Sequence, residues 1–226
     1  MCNQSGIDFG KQNLTTADVA GKRVLEIGAR TVNFSLRTEI EKLKPAEYIG
    51  VDIQEGKGVD QIVSAEELVD KFGADSFDVV FTTELLEHVE DWRAAISNIK
   101  QVCKPNGVIL ITTRSIGFKY HAFPYDFWRY EKEDMQEIFA DCEVEVLESD
   151  PSEPGVFVKV RKTTDFQEKD LSQYKLFNII TKTREVNIPE GADQKIVFKL
   201  RVWRTRSFDW IYQTARFLLG RERQGK

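Results

Sequence analysis

The chain has 226 residues but only two histidines and three cysteines, the side chains that most often hold metals or act as nucleophiles. Cys2, Cys103 and Cys142 are odd in number and lack metal-ligand spacing. That argues against a disulfide scaffold or a zinc module and for free thiols in a reducing cytoplasm. The sequon Asn13-Leu14-Thr15 then carries no meaning. No apolar run approaches the roughly 18 residues of a spanning helix, and the polar start Met1-Cys2-Asn3-Gln4-Ser5 does not read as a signal peptide. There is no Gly-x-Gly-x-x-Gly, which argues against a nicotinamide oxidoreductase. There is no excess of positive charge: the net charge of −5 argues against a general nucleic-acid binder.

What is present is an acidic body joined to a basic tail. The stretch 191–226 holds 9 Lys/Arg against 3 Asp/Glu, a net of +6, so the stretch 1–190 carries −11. The expected division is a domain over 1–162 and a C-terminal extension over 163–226. Within the extension, Leu176–Thr181 and Lys195–Trp203 read as strands. Phe208–Leu219 has helical apolar spacing among arginines. Such a helix suits docking, a homodimer contact or the surface of an anionic membrane.

The body alternates between the two hydrophobic periods. Strands are expected at Arg23–Ile27, Tyr48–Asp52, Gln61–Val63, Phe77–Thr82 and Val108–Thr112, with helices between them. The turn Lys104-Pro105-Asn106-Gly107 precedes the fifth strand. A helix at Glu131–Phe139 is followed by strands Val144–Glu148 and Val156–Arg161, whose short connection predicts an antiparallel hairpin. The result is an α/β fold with a doubly wound, mostly parallel sheet that ends in that hairpin. The first strand ends in Glu26 and then Gly28, and the second, one helix further on, ends in Asp52. A strand, a glycine turn, a helix and a strand ending in an acid form half of a nucleoside site, in which the acid accepts from ribose hydroxyls.

These residues carry a resemblance. Val24-Leu25-Glu26-Ile27-Gly28, Val51-Asp52, Phe77-Asp78-Val79-Val80 followed by Leu86-Glu87-His88-Val89, and Lys104-Pro105-Asn106-Gly107-Val108 recur in the order of the Rossmann-like class I S-adenosylmethionine (SAM) methyltransferases. The resemblance covers about residues 20–162 and implies a seven-stranded sheet with SAM as cofactor. It puts Glu26, Gly28 and Ala29 at the methionine end, Asp52 on the ribose and Ile53 on the adenine. Ser64, Ala65 and Glu66 fall by the adenine edge, and Thr83 and Glu84 on the cofactor floor. The chain departs from the family at the first loop. Of the usual acid-x-Gly-x-Gly-x-Gly only Gly28 survives, with Arg30 and Val32 at the later glycine places.

Thr82-Thr83-Glu84-Leu85 stands where base-amine methyltransferases carry Asn/Asp-Pro-Pro-aromatic. The fifth strand ends Thr112-Thr113-Arg114, without the acid of the metal-dependent catechol type, so no catalytic metal is expected. The segment Arg114–Tyr130 concentrates 7 of the chain's 25 aromatics at the rim where open α/β sheets bind ligands. Arg114, Tyr125, Asp126, Trp128 and Arg129 are its candidate substrate residues. Packing of the following helix is the competing use of its aromatics. His121–Tyr130 is similar to bacterial type 11-like methyltransferases that tailor surface glycans or natural products, which implies a role such as polysaccharide biosynthesis.

The two histidines, His88 and His121, are the candidate bases, with Glu84 and Glu87 beside His88. The expected function is SAM-dependent methylation of a hydroxyl on a small molecule or carbohydrate. The alternatives are N-methylation of a small amine or phospho-amine and a SAM-binding module without catalysis.

Overall fold

The computed structural model describes residues 3–31, 35–121 and 126–189. The chain opens with α1 (Gln4–Asn13), started by the Asn3 side chain accepting from the Gly6 amide. Then comes α2 (Thr16–Val19), whose start is a capping box between Thr15 and Asp18. The alternating part runs β1 (Arg23–Ile27), α3 (Arg37–Lys42), β2 (Glu47–Asp52), β3 (Gln61–Ile62), α4 (Leu68–Phe72), β4 (Phe77–Thr83), a 3₁₀ turn (Leu86–His88), α5 (Trp92–Val102) and β5 (Cys103–Arg114). It continues through β6 (Trp128–Arg129), α6 (Lys132–Ile138), β7 (Cys142–Ser149), β8 (Gly155–Lys162), β9 (Leu176–Asn178) and β10 (Thr183–Glu185).

Seven strands make one sheet in the order β3-β2-β1-β4-β5-β8-β7. The first five are parallel. β8 is antiparallel to both β5 and β7, so the terminal hairpin is as the sequence predicts. Strand residues alternate between two cores. Val24, Val79, Phe81, Val108 and Leu110 face one side with Phe9, Leu14 and Leu36. Leu25, Ile27, Val80, Ile109 and Ile111 face the other with Trp92, Ile96, Ile99 and Met135. Period-two alternation buries both faces of the central strands, which is why these strands read as unbroken apolar runs.

Lys104-Pro105-Asn106-Gly107, expected as a free turn, is a bulge inside β5. Phe77 pairs with Cys103 and Val79 with Val108, so the residues between have no partners in β4, and Asn106 takes a φ of +63°.

A second sheet, β10-β9-β6, goes beyond the sequence reading. The strand expected at Leu176–Thr181 is β9, and it pairs antiparallel with β6 in the aromatic segment. Leu171, Leu176, Ile179 and Ile180 join the core beneath α5 and α6. Arg93 of α5 donates to the Leu171, Tyr174 and Val186 carbonyls. The Tyr174 hydroxyl and Arg184 both reach Asp134. Residues 163–189 thus return to the body. Lys195–Trp203 and Phe208–Leu219 lie outside the described residues. Among the described residues no helix is long and apolar enough to cross a membrane.

Candidate active site

A cavity of about 480 Å³ opens at the carboxyl ends of β1, β2 and β4. This is where the strand order reverses, the ligand position in open α/β sheets. Glu26, Gly28, Ala29, Asp52, Ile53, Ala65, Glu66, Thr83 and Glu84 all line it, as do Arg30, Gln54, Leu85, His88 and Phe127.

Gly28 has a φ of +77°, and a side chain there would stand 3.3 Å from Leu85. Its amide and that of Ala29 both donate to the Val51 carbonyl, which folds the first loop across the end of β2. The missing later glycines are replaced by tethers. The Arg30 amide donates to Asp52 (3.3 Å), the Arg30 guanidinium to Gln54 (2.9 Å) and the Thr31 amide to the Lys57 carbonyl (2.8 Å). Asp52 also accepts from the Gln54 amide, so its carboxylate is fixed before any ligand arrives. Beside it Ile53 is 65% exposed, an apolar side chain held at the rim with nothing over it among the described residues. A fixed carboxylate next to an uncovered apolar face, in a cavity of ligand size, fits a nucleoside: hydroxyls on Asp52 and a base on Ile53.

Glu26 is buried and accepts from the Tyr48 hydroxyl at 2.5 Å. Burial raises its carboxyl to about 7, with the Tyr48 hydrogen bond opposing. Between the ordinary value of 4.5 and 7 the folded chain therefore keeps a proton that the unfolded chain has released. The stability this represents is full below about pH 4.5 and is lost as pH rises through 7, at most about 3 kcal/mol. Urea unfolding of the ligand-free protein between pH 5 and 8 is expected to show this fall, and Glu26→Gln to flatten it. Parallel curves for the two proteins would refute it.

Glu84 follows β4 with a φ of +56°, rare for a residue with a side chain. Its amide donates to the Thr112 carbonyl and its carboxylate pairs with Arg114. Burial, then Glu87, raises the Glu84 carboxyl, and Arg114 opposes them. Arg114, a candidate substrate residue by its sequence position, takes another part. The structure buries it and commits it to Glu84, Asp150 (3.5 Å) and Glu153 (3.2 Å), with Phe118 stacked on it at 4.1 Å.

Trp128 and Arg129 are likewise drawn inward, because β6 is a strand and not a rim loop. The Trp128 indole donates to the Glu90 carbonyl, and Arg129 pairs with Asp126 through both arms at 2.6 and 2.9 Å. Phe127 lines the cavity, but Trp128 and Tyr130 belong to the core, so this part of the aromatic segment packs. Tyr125 lies outside the described residues.

The two histidines meet. His88, at the cavity, stands edge-on to His121 with ring centroids 4.7 Å apart. Asp126 accepts from the His121 amide (2.7 Å) and lies 3.0 Å from its Nδ1. Burial alone would raise the Asp126 carboxyl, but hydrogen bonds from Arg129 and His121 offset that and bring it to about 2. Glu87, which in the sequence reads only as a neighbour of His88, is fully buried between them. Its Oε2 accepts from the Thr113 hydroxyl at 2.8 Å, and its Oε1 lies 3.7 Å from His88 Nε2 and 3.9 Å from His121 Nε2. Burial raises its carboxyl, but the two imidazoles outweigh burial and leave it below the usual range. The available signal is the pair Glu87-His88 in the short turn just past the carboxyl end of β4, at the rim of the sheet.

The family described as "Methyltransferase domain" matches residues 7–140. The chain belongs to the methyltransferase-domain family. Its cofactor is SAM, which the cavity's carboxylate and apolar rim fit. This methyltransferase domain is 31% identical to a ubiquinone biosynthesis O-methyltransferase of Aromatoleum aromaticum, over 47% of this chain and 50% of that protein. It is 33% identical to another protein of that name from Idiomarina loihiensis, over 43% and 44%. The chain thus spans about half the length of the curated relatives it matches. Among solved structures, a 1,6-didemethyltoxoflavin-N1-methyltransferase of Burkholderia thailandensis, with bound 1,6-didemethyltoxoflavin and S-adenosylhomocysteine, superposes with a TM-score of 0.56. Its identity is 14%, over 71% of this chain and 80% of that one. A putative methyltransferase of Haloferax volcanii in complex with the activator Trm112 gives 0.58 at 13%, over 73% and 91%. At such identities these two structures support the fold alone.

Proposed function

We propose that this methyltransferase domain transfers the SAM methyl group to a hydroxyl oxygen of a small molecule, a carbohydrate hydroxyl being within that class. The observation that carries the reading is the paired imidazoles beside the cavity. SAM supplies a methyl already activated on a sulfonium, so the protein's part is alignment and, for a hydroxyl acceptor, removal of a proton. His88 lines the cavity and touches His121, whose Nδ1 faces an ionised Asp126. A carboxylate only accepts, so Nδ1 holds a proton and Nε2 presents a lone pair when the ring is neutral. Relatives that are O-methyltransferases support oxygen as the acceptor atom. Asp52, Ile53 and Glu26 then hold the ribose, adenine and methionine parts of the cofactor.

A methyl-transfer screen over phenols, sugar nucleotides, glycans and phospho-amines, read by mass, tests the acceptor. An O-methyl product upholds the reading. An N-methyl product replaces it with the amine alternative, and SAM binding without any product leaves a cofactor-binding module. The cofactor placement has its own test. Asp52→Ala is expected to weaken SAM binding about ten- to a hundred-fold, the loss of a hydrogen bond to a charged group, with the fold intact. Calorimetry giving wild-type affinity would remove Asp52 from the site.

A further inference from the structure

We propose that Glu87, His88 and His121 form a binding site for a divalent first-row transition cation on the acceptor side of the cavity. One ligand atom from each lies within 4.8 Å of the others. Metal–ligand bonds of about 2.0–2.2 Å set ligand atoms roughly 3–4 Å apart, so closure on a cation needs only a small contraction.

Three further features favour a cation. Glu87 has no exposure, and its Oε1 has no hydrogen-bond partner among the described residues although it points at both imidazoles. At 3.7 and 3.9 Å the imidazole nitrogens are beyond hydrogen-bond reach of that oxygen, so they do not satisfy it directly. The imidazoles act on this oxygen only through space, and a cation between the three groups gives it the direct partner that it lacks. Asp126, anchored by Arg129, takes the Nδ1 side of His121 and turns its Nε2 toward Glu87. A carboxylate behind a metal-facing histidine is the usual outer support of such a ligand. Two imidazoles and one carboxylate select zinc, manganese, iron or cobalt over magnesium or calcium.

The expectation of no catalytic metal weighs acids at the ends of the fourth and fifth strands. Here the fifth strand's contribution is Thr113, which holds Glu87, and the nitrogens come from the segments that follow the two strands. His88 opens onto the cavity, so positions left on the cation face the acceptor, where its charge would help a hydroxyl shed its proton. The site itself is independent of the methyl acceptor.

The chain has only two histidines, which makes a direct test simple. The full chain, stripped with chelator and free of SAM and acceptor, is titrated with zinc chloride by calorimetry. The imidazole nitrogens are followed by long-range ¹H–¹⁵N NMR. Expected are one equivalent per chain and a shift of both Nε2 resonances, with His88→Gln and His121→Gln each weakening binding at least about ten-fold. Absence of stoichiometric binding, or an Nε2 resonance left unmoved at saturation, overturns the proposal without reliance on any variant. Because neither SAM nor acceptor is present, that failure leaves the O-methyl reading standing.

Discussion

Replacing His88 or His121 by alanine is expected to cut turnover by about 10²–10⁴ in at least one of the two variants, while SAM affinity stays within a few-fold. The separation follows from position. Asp52, Ile53 and Glu26 line the cavity on the side of β1 and β2, whereas the imidazoles come from the segments after β4 and β5. A neutral imidazole that accepts the acceptor's proton and a cation that lets the proton leave both predict this loss, and they part on other readouts. A base gives a turnover that rises with pH through the imidazole titration and ignores chelator. A cation makes turnover chelator-sensitive and restorable by zinc or manganese. Near-normal turnover in both variants would eliminate histidine from the chemistry and leave alignment alone.

Arg129→Ala is expected to destabilise the protein by about 3–5 kcal/mol, because it leaves Asp126 charged and buried without its main partner. Both side chains have no exposure, and the guanidinium also donates to the Phe118, Lys119 and Trp128 carbonyls. Arg129→Lys is expected to recover little, since one ammonium cannot reproduce the two-armed contact. Urea unfolding measures both. A loss below about 1 kcal/mol, together with weakened acceptor binding, would return Arg129 to the substrate role read from its sequence context. The loss should also loosen His121, because Asp126 is the group that fixes its ring.

The part of the cavity at the ends of β1 and β2 is legible in the sequence because its signals are local. Glu26, Gly28 and Asp52 sit at strand ends, and a strand end followed by a glycine turn can be placed from period and spacing alone. The part of the cavity around His88 and the segment after β5 is not, because its residues are sorted by pairing between distant segments. Trp128 and Arg129 look like rim residues until β9, far along the chain, pairs with them and turns them inward. Arg114 looks like a free cation until Glu84, Asp150 and Glu153 converge on it. Glu87 escapes sequence reading for a related reason. Its role depends on His121, which follows a different strand, and on Thr113 within that strand. Buried charge pairs leave no periodicity, so sequence reading assigns their members to solvent or ligand by default.

The segment after β5 is tied shut at its base. The Tyr130 amide donates to the Arg114 carbonyl, and the Ile179 amide to the Phe127 carbonyl. The entropy of closing such a loop grows only slowly with its length, roughly 0.6 kcal/mol for each doubling. Residues gained or lost around Gly117 therefore bear lightly on the fold so long as Phe118 still covers Arg114 and the Phe118 and Lys119 carbonyls still meet Arg129, while the knots at Arg114, Asp126 and Tyr130 hold the sheet beneath. That arrangement suits divergence: the tip of this segment can change in size between lineages or in a designed library, while the cavity at the ends of β1 and β2 does not register the change.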